Sequence, residues 1–200
     1  MGQWLRSDGS GRQVCSAVTG ETLGVLGAVP DVAAMRGYAK THGGAALRAM
    51  NFHDRARMLK ALALHLKAHR KALYELSFLT GATLADSQID IDGGIGTLLV
   101  YASKGRREMP EGFVLPDGEV EMLSRDGSFL GQHVLTPRQG IALQINAFNF
   151  PVWGMLEKLA PSLLAGVPSL VKPASDTGYL TQAVVRLIAD SGILPVGVLL

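Results

Sequence analysis

GIALQINAFNFPVWGMLEKLAPSLLAGVPSLVKPASDTGYLTQAVVRLIADSGILPVGVLL, residues 140–200, decides the fold. GIALQI (140–145) and SLVKPA are short apolar runs of the kind that form strands buried on both faces. VWGMLEKLAPSLLAGV and TGYLTQAVVRLIADSG carry helical spacing and close on Gly166 and Gly192, and VGVLL reads as a third strand. Strand, helix, strand, helix, strand is the βαβαβ half of a doubly wound parallel sheet, so the fold class is α/β. The chain is expected to stop inside that third strand.

Open parallel sheets bind ligands beyond the carboxyl ends of their strands, which is where NAFNFP and KPASD fall. Asn149 lies between two phenylalanines and directly before Pro151, an odd place for an amide. Its NH2 group can donate to an oxygen that develops negative charge, with Pro151 fixing the backbone beside it. Alternatively, Asn149 satisfies backbone groups of its own loop. Lys172 is aimed from the end of the second strand, where a cation can hold a ribose or phosphate, or simply face solvent.

Working toward the amino terminus, residues 110–135 combine Pro, Gly and mixed charge with short alternating pieces, and read as a loop followed by strand segments. LADSQIDIDGGIGTLLVYASKGRREMP reads as a helix loosened by Gly93, Gly94 and Gly96 and stopped before Pro110. Those glycines are no dinucleotide fingerprint, because no strand leads in and the third glycine is missing. A long helix capped by Asp54 carries Leu59, Leu62, Leu66, Leu73 and Leu76 as one apolar stripe, with Arg57, Lys60, Lys67 and Lys71 as its solvated face. A shorter helical pattern starts at Asp31 and is expected to break at Gly43-Gly44. Before it, VCSAVTGETLGVLGAV reads as a hairpin turning at Thr19-Gly20, with Cys15 facing into the strand pair.

Composition narrows the function. Of 200 residues 48% are hydrophobic, enough for a substantial core, and 19 Lys and Arg against 17 Asp and Glu leave a net charge of only +2, with no basic run. Nucleic acid is therefore a poor partner. No apolar run reaches the about 18 residues of a membrane span, and the start MGQWLRSDGSG has no signal-peptide core, so a cytoplasmic location is expected. One cysteine permits neither an intrachain disulfide nor a cysteine-based zinc cluster. His65 and His69 have helical metal-ligand spacing but lack a third ligand, so no metal is expected.

The spacing from Asn149-Phe150-Pro151 through Glu157-Lys158-Leu159-Ala160-Pro161 and Leu164-Ala165-Gly166 to Lys172-Pro173-Ala174, then Gly192, Pro195 and Gly197, resembles the aldehyde dehydrogenase superfamily. Thr19-Gly20-Glu21 and Arg55 to Leu62 extend the likeness toward the amino terminus. LRAMNFHDRARMLKALALHL, TGATLADSQIDIDGGIGTL and INAFNFPVWGMLEKLAPSLLAG are similar to the branch that oxidises ring-opened CoA-thioester semialdehydes in aerobic phenylacetate and benzoate breakdown. Where the general family has proline two residues before the Asn, this chain has Ala147.

The resemblance implies an aldehyde-dehydrogenase-like fold: a partial cofactor-binding domain over residues 1–200, preceded by the hairpin and long helices, with 110–138 in the oligomerisation region. It implies Asn149 as the side-chain donor of an oxyanion hole, Lys172 at the adenosine ribose or its phosphate, and Ile145 and Phe148 lining the site. Lys158 matches a family lysine near the catalytic centre. Ser175 stands where NAD-using members commonly have Glu; a carboxylate repels a 2′-phosphate and a hydroxyl can donate to one, so NADP is expected over NAD, with Asp176 as the nearest competing negative charge. The implied substrate is a small aldehyde, in this branch a CoA thioester, and the complete enzyme is a homodimer or larger oligomer. The family's catalytic Cys and Glu would fall beyond Leu200, so these residues alone are expected to be inactive. Two other readings stay open: a reductase of the same superfamily acting on an acyl-CoA or acyl phosphate, and a noncatalytic nucleotide-binding or association module.

Overall fold

The structure is a computed structural model that describes residues 4–5, 8–27 and 30–200. β1 (Arg12–Cys15) and β2 (Thr22–Leu26) form an antiparallel hairpin. Gly20 takes the left-handed conformation (φ 74°), and the Ser16 hydroxyl accepts from the amides of Val18 and Thr19 to close the turn. The expected strand end at Ala28 and Val29, like residues 1–3 and Arg6, lies outside the described residues. Cys15 is exposed, contrary to the inward orientation expected: Val14 takes the buried face, and the register shifts between these two residues.

α1 (Val32–Tyr38) is capped by Asp31, whose side chain accepts from the Ala34 amide. The helical path does not break at Gly43-Gly44. A π-helical turn over Ala39–Gly43 leads straight into α2 (Gly44–Arg48). Gly43 instead serves packing, because a Cβ there would lie 2.0 Å from the Gly197 carbonyl oxygen.

The cap of α3 (Phe52–Phe78) lies three residues before the one expected. Asn51 is the N-cap, accepting from the Asp54 amide at 2.8 Å, and Asp54 accepts in return from the Asn51 amide at 3.2 Å. Asp54 is thus the third residue of a reciprocal capping box. α4 (Leu84–Arg107) begins with the same device, Thr83 with Asp86. It runs unbroken through its glycines: Gly93 and Gly94 let Trp153 approach, while Gly96 meets nothing.

β3 (Leu115–Met122) and β4 (Leu130–Leu135) form a second antiparallel hairpin. β5 (Ala142–Ile145), α5 (Trp153–Leu164), β6 (Ser169–Lys172) and α6 (Gly178–Asp190) follow, with β5 and β6 parallel. The expected third strand is only begun. Gly197 turns the chain (φ 79°), and residues from Val198 onward bond β6 through a single bridge, Ser169 to Leu199.

One core joins the helices. Leu59, Leu62 and Leu66 of α3, Ile91 and Leu98 of α4, Met155, Leu156, Leu159 and Leu163 of α5, and Leu180 and Val184 of α6 have no exposure. Burying each such side chain contributes about 1.5–3 kcal/mol before conformational entropy is counted. At the end of α5, Gly166 adopts φ 80°, and a Cβ there would meet the Arg55 guanidinium at 2.1 Å. Glycine is required on both counts. No helix among the described residues is long and apolar enough to cross a membrane.

Candidate functional site

In the parallel pair, Ile145 is level with Lys172, so both strands end at the same height and release their loops to the same side. The register is locked past the last pair by the Asn146 amide donating to the Lys172 carbonyl at 3.1 Å. Four sequence-derived site residues, Ile145, Phe148, Asn149 and Lys172, are thereby gathered at one sheet edge, and Ser175 follows in the loop after β6.

The segment between β5 and α5 carries Asn149, and side chains of two helices, α4 and α6, hold it. Thr177 at the start of α6 donates its hydroxyl to the Phe148 carbonyl at 3.0 Å, and Thr181, one turn on, donates to the Pro151 carbonyl at 3.0 Å. From α4, the Asp90 carboxylate accepts from the Trp153 amide at 2.7 Å and the Val152 amide at 3.2 Å. Those amides head α5, where the first N–H groups have no partner within their own helix. Asp90 supplies the acceptor from a sequence distance of 62 or 63 residues. Phe150 packs edge-on against Trp153, with ring centroids 5.9 Å apart.

Asp90 is only 4% exposed, and burial pushes its carboxyl up to about 6, against the opposing pull of the Trp153 and Val152 amides. The positive end of α5 favours the ionised form, but the loss of hydration outweighs it. A cavity of about 270 Å³ lies between the end of α3 and this loop; Asp90, Phe148, Asn149 and Thr177 are among its walls.

Asn149 is exposed, and its amide makes no hydrogen bond among the described residues. The Phe148 and Pro151 carbonyls and the Val152 and Trp153 amides are bonded by Thr177, Thr181 and Asp90, and none of them by the Asn149 side chain. Lys172 is also exposed, its ammonium donating among the described residues only to the Pro173 carbonyl at 3.0 Å. Ile145 and Phe148 are 67% and 65% exposed, an unusual state for apolar side chains at a strand end. Lys158 is engaged within α5, donating to the Gly154 carbonyl and the Glu157 carboxylate. Cys15 is not among the cavity's walls. His65 and His69 bond backbone carbonyls, and no metal-ligating cluster occurs among the described residues.

Sequence reasoning missed Asp90, Thr177, Thr181 and Asn146. A signal for Asp90 was present: it lies on the α4 stripe with Ser87, Ile91 and Gly94, all buried, where an acid needs a partner. Asn146, 6% exposed at the end of β5, leaves both side-chain polar atoms unpartnered among the described residues. A buried orphan amide at the end of β5, an exposed lysine at the end of β6 and a half-buried serine in the loop after it are donors of the kind that the ribose and phosphate of a nucleotide would use, so the residues present fit a dinucleotide at this edge.

Parallel strands with a clamped donor loop at their carboxyl ends define an α/β protein of the doubly wound type. The chain belongs to the aldehyde dehydrogenase family, whose model matches residues 4–200. It is 43% identical over 198 residues to the 3,4-dehydroadipyl-CoA semialdehyde dehydrogenase of Aromatoleum evansii, covering 98% of this chain and 38% of that protein. The non-phosphorylating aspartate-semialdehyde dehydrogenase of Halomonas elongata is 30% identical over 202 residues, again 98% of this chain and 38% of that protein. Among solved structures, 3,6-anhydro-L-galactose dehydrogenase in complex with NAP has the same fold, with a TM-score of 0.84 at 23% identity over 99% of this chain and 40% of that one. The chain therefore spans well under half the length of these relatives. Both the family resemblance and the α/β fold read from the sequence are borne out.

Proposed function

We propose that the complete protein carrying these residues is an NADP-dependent aldehyde dehydrogenase that oxidises a CoA-linked semialdehyde to the acid, and that Asn149 donates to the substrate oxygen as it gains negative charge. The observation that carries this reading is the Asn149 amide, partnerless among the described residues and held on a loop that side chains of α4 and α6 bond at Phe148, Pro151, Val152 and Trp153. A donor fixed in advance loses no reorganisation energy when charge develops, and being neutral it does not bind the uncharged aldehyde too tightly. The 43% identity to a CoA-semialdehyde dehydrogenase supports the substrate class.

Lys172, Ser175 and Asn146, with Ile145 and Phe148 beside them, would hold the adenosine half of NADP, and the nicotinamide when bound accepts the hydride. In this reading the attacking thiolate and the base that activates water are contributed by other residues of the complete protein. The 200 residues alone then produce no NADPH. The β3–β4 hairpin, with Val120, Met122, Phe129 and Leu130 all more than half exposed, is assigned to subunit association.

Asn149→Ala in the complete protein tests the donor. Loss of one oxyanion-hole donor costs about 10²–10³ in kcat. A fall of that size in NADPH formation with unchanged NADP affinity is expected; a kcat within twofold of wild type would refute the role.

A further inference from the structure

The amino-terminal segment reaches the nucleotide edge. Arg12 of β1 forms an ion pair with Asp176, 164 residues away, in the loop that carries Lys172 and Ser175. A second contact runs the same way: the Arg186 guanidinium of α6 lies over the Trp4 ring, 4.8 Å from its centroid. Trp4 and Arg12 thus both contact α6 or the loop leading into it.

Asp176 is the negative charge nearest in sequence to Ser175. Left alone, its carboxylate would act on a 2′-phosphate much as a glutamate at position 175 would, by repulsion across a short, mostly aqueous gap. We propose that Arg12 is a specificity-determining residue: by pairing with Asp176 it cancels that repulsion and lets the β6–α6 loop accept the 2′-phosphate of NADP beside Lys172. Both side chains are about two-thirds exposed, so the pair adds little to stability, and its consequence is electrostatic. This inference rests on the NADP reading above.

Calorimetric binding of 2′,5′-ADP and 5′-AMP to the complete protein tests it without turnover. Wild type is expected to favour 2′,5′-ADP, and Ser175→Glu should abolish that preference. Arg12→Ala should weaken 2′,5′-ADP binding roughly two- to fivefold at low ionic strength, with the effect fading in high salt. Arg12→Lys and the double variant Arg12→Ala/Asp176→Asn should restore it, and 5′-AMP binding should stay within twofold throughout, which also reports intact folding. A wild-type protein that does not favour 2′,5′-ADP overturns the NADP reading and this inference with it. Wild-type preference that survives Arg12→Ala, falls equally for both ligands, or is not restored in the double variant overturns the inference alone.

Discussion

The loop before α5 and the β3–β4 hairpin are separated in sequence by little more than strand β5 and are built on opposite terms. In the loop, residues 146–153 contribute backbone groups to α4, α6 and β6 and leave one amide, Asn149, turned outward without a partner among the described residues. In the hairpin, the two strands pair with each other at both ends around a register shift between Asp117 and Glu121, but Val120, Met122, Leu123, Phe129, Leu130, Val134 and Leu135 are 45–67% exposed. The loop is closed by polar groups and leaves the exposed Asn149 amide unpartnered among the described residues. The hairpin is closed by its ladder and opens an apolar surface, which calls for cover from another chain or segment.

Breaking the loop's side of this contrast should have the larger effect. Asp90→Ala leaves the Val152 and Trp153 amides buried with no acceptor, a loss of about 1–3 kcal/mol in unfolding free energy by denaturant titration. Asp90→Asn keeps an acceptor oxygen and should lose far less near neutral pH. The two also differ in pH dependence. The folded carboxyl titrates near 6 against an ordinary 3.8, so folding takes up a proton between those values. Its contribution to stability is full below about pH 4 and is lost as pH rises through about 6. Asp90→Asn should flatten that slope; a slope identical to wild type would show that Asp90 is not its source.

Thr181→Val removes the donor to the Pro151 carbonyl while nearly keeping volume, and should cost about 0.5–1.5 kcal/mol. Phe129→Ser, on the hairpin, should change stability of the unassociated chain by no more than about 0.5 kcal/mol. It should nevertheless shift the complete protein toward smaller species in analytical ultracentrifugation. If the ranking of Asp90→Ala over Phe129→Ser in stability were reversed, the contrast between the two regions would fail.

The parts legible in the sequence are those where one short pattern determines the answer. Apolar runs around Leu143 and Leu170, helix stops at Gly166 and Gly192, and the α3 leucine stripe follow from local periodicity and turn chemistry. The position of Asn149 and Lys172 at the carboxyl ends of β5 and β6 was legible because the two apolar runs that precede them define the strand ends. The loop's supports were not, because Asp90, Thr177 and Thr181 act across separations of 29 to 63 residues that no local pattern encodes. Asp54 was misplaced as the cap because Asn51 and Asp54 bond each other, and either residue type suits the position. The helix pattern gave no signal for Arg55, which is fully buried, its guanidinium 4.4 Å over the Phe52 ring and lowered in pKa by that burial.

The central claim, that Asp90 holds the Asn149 loop from α4, is tested most directly by hydrogen exchange of the peptide 149–156 in the complete protein, wild type against Asp90→Ala. The account predicts slow exchange at Val152 and Trp153 in wild type and exchange about tenfold or more faster in the variant, with the interior of α5 around Leu159 still protected. Unchanged protection of Trp153 in Asp90→Ala would contradict it.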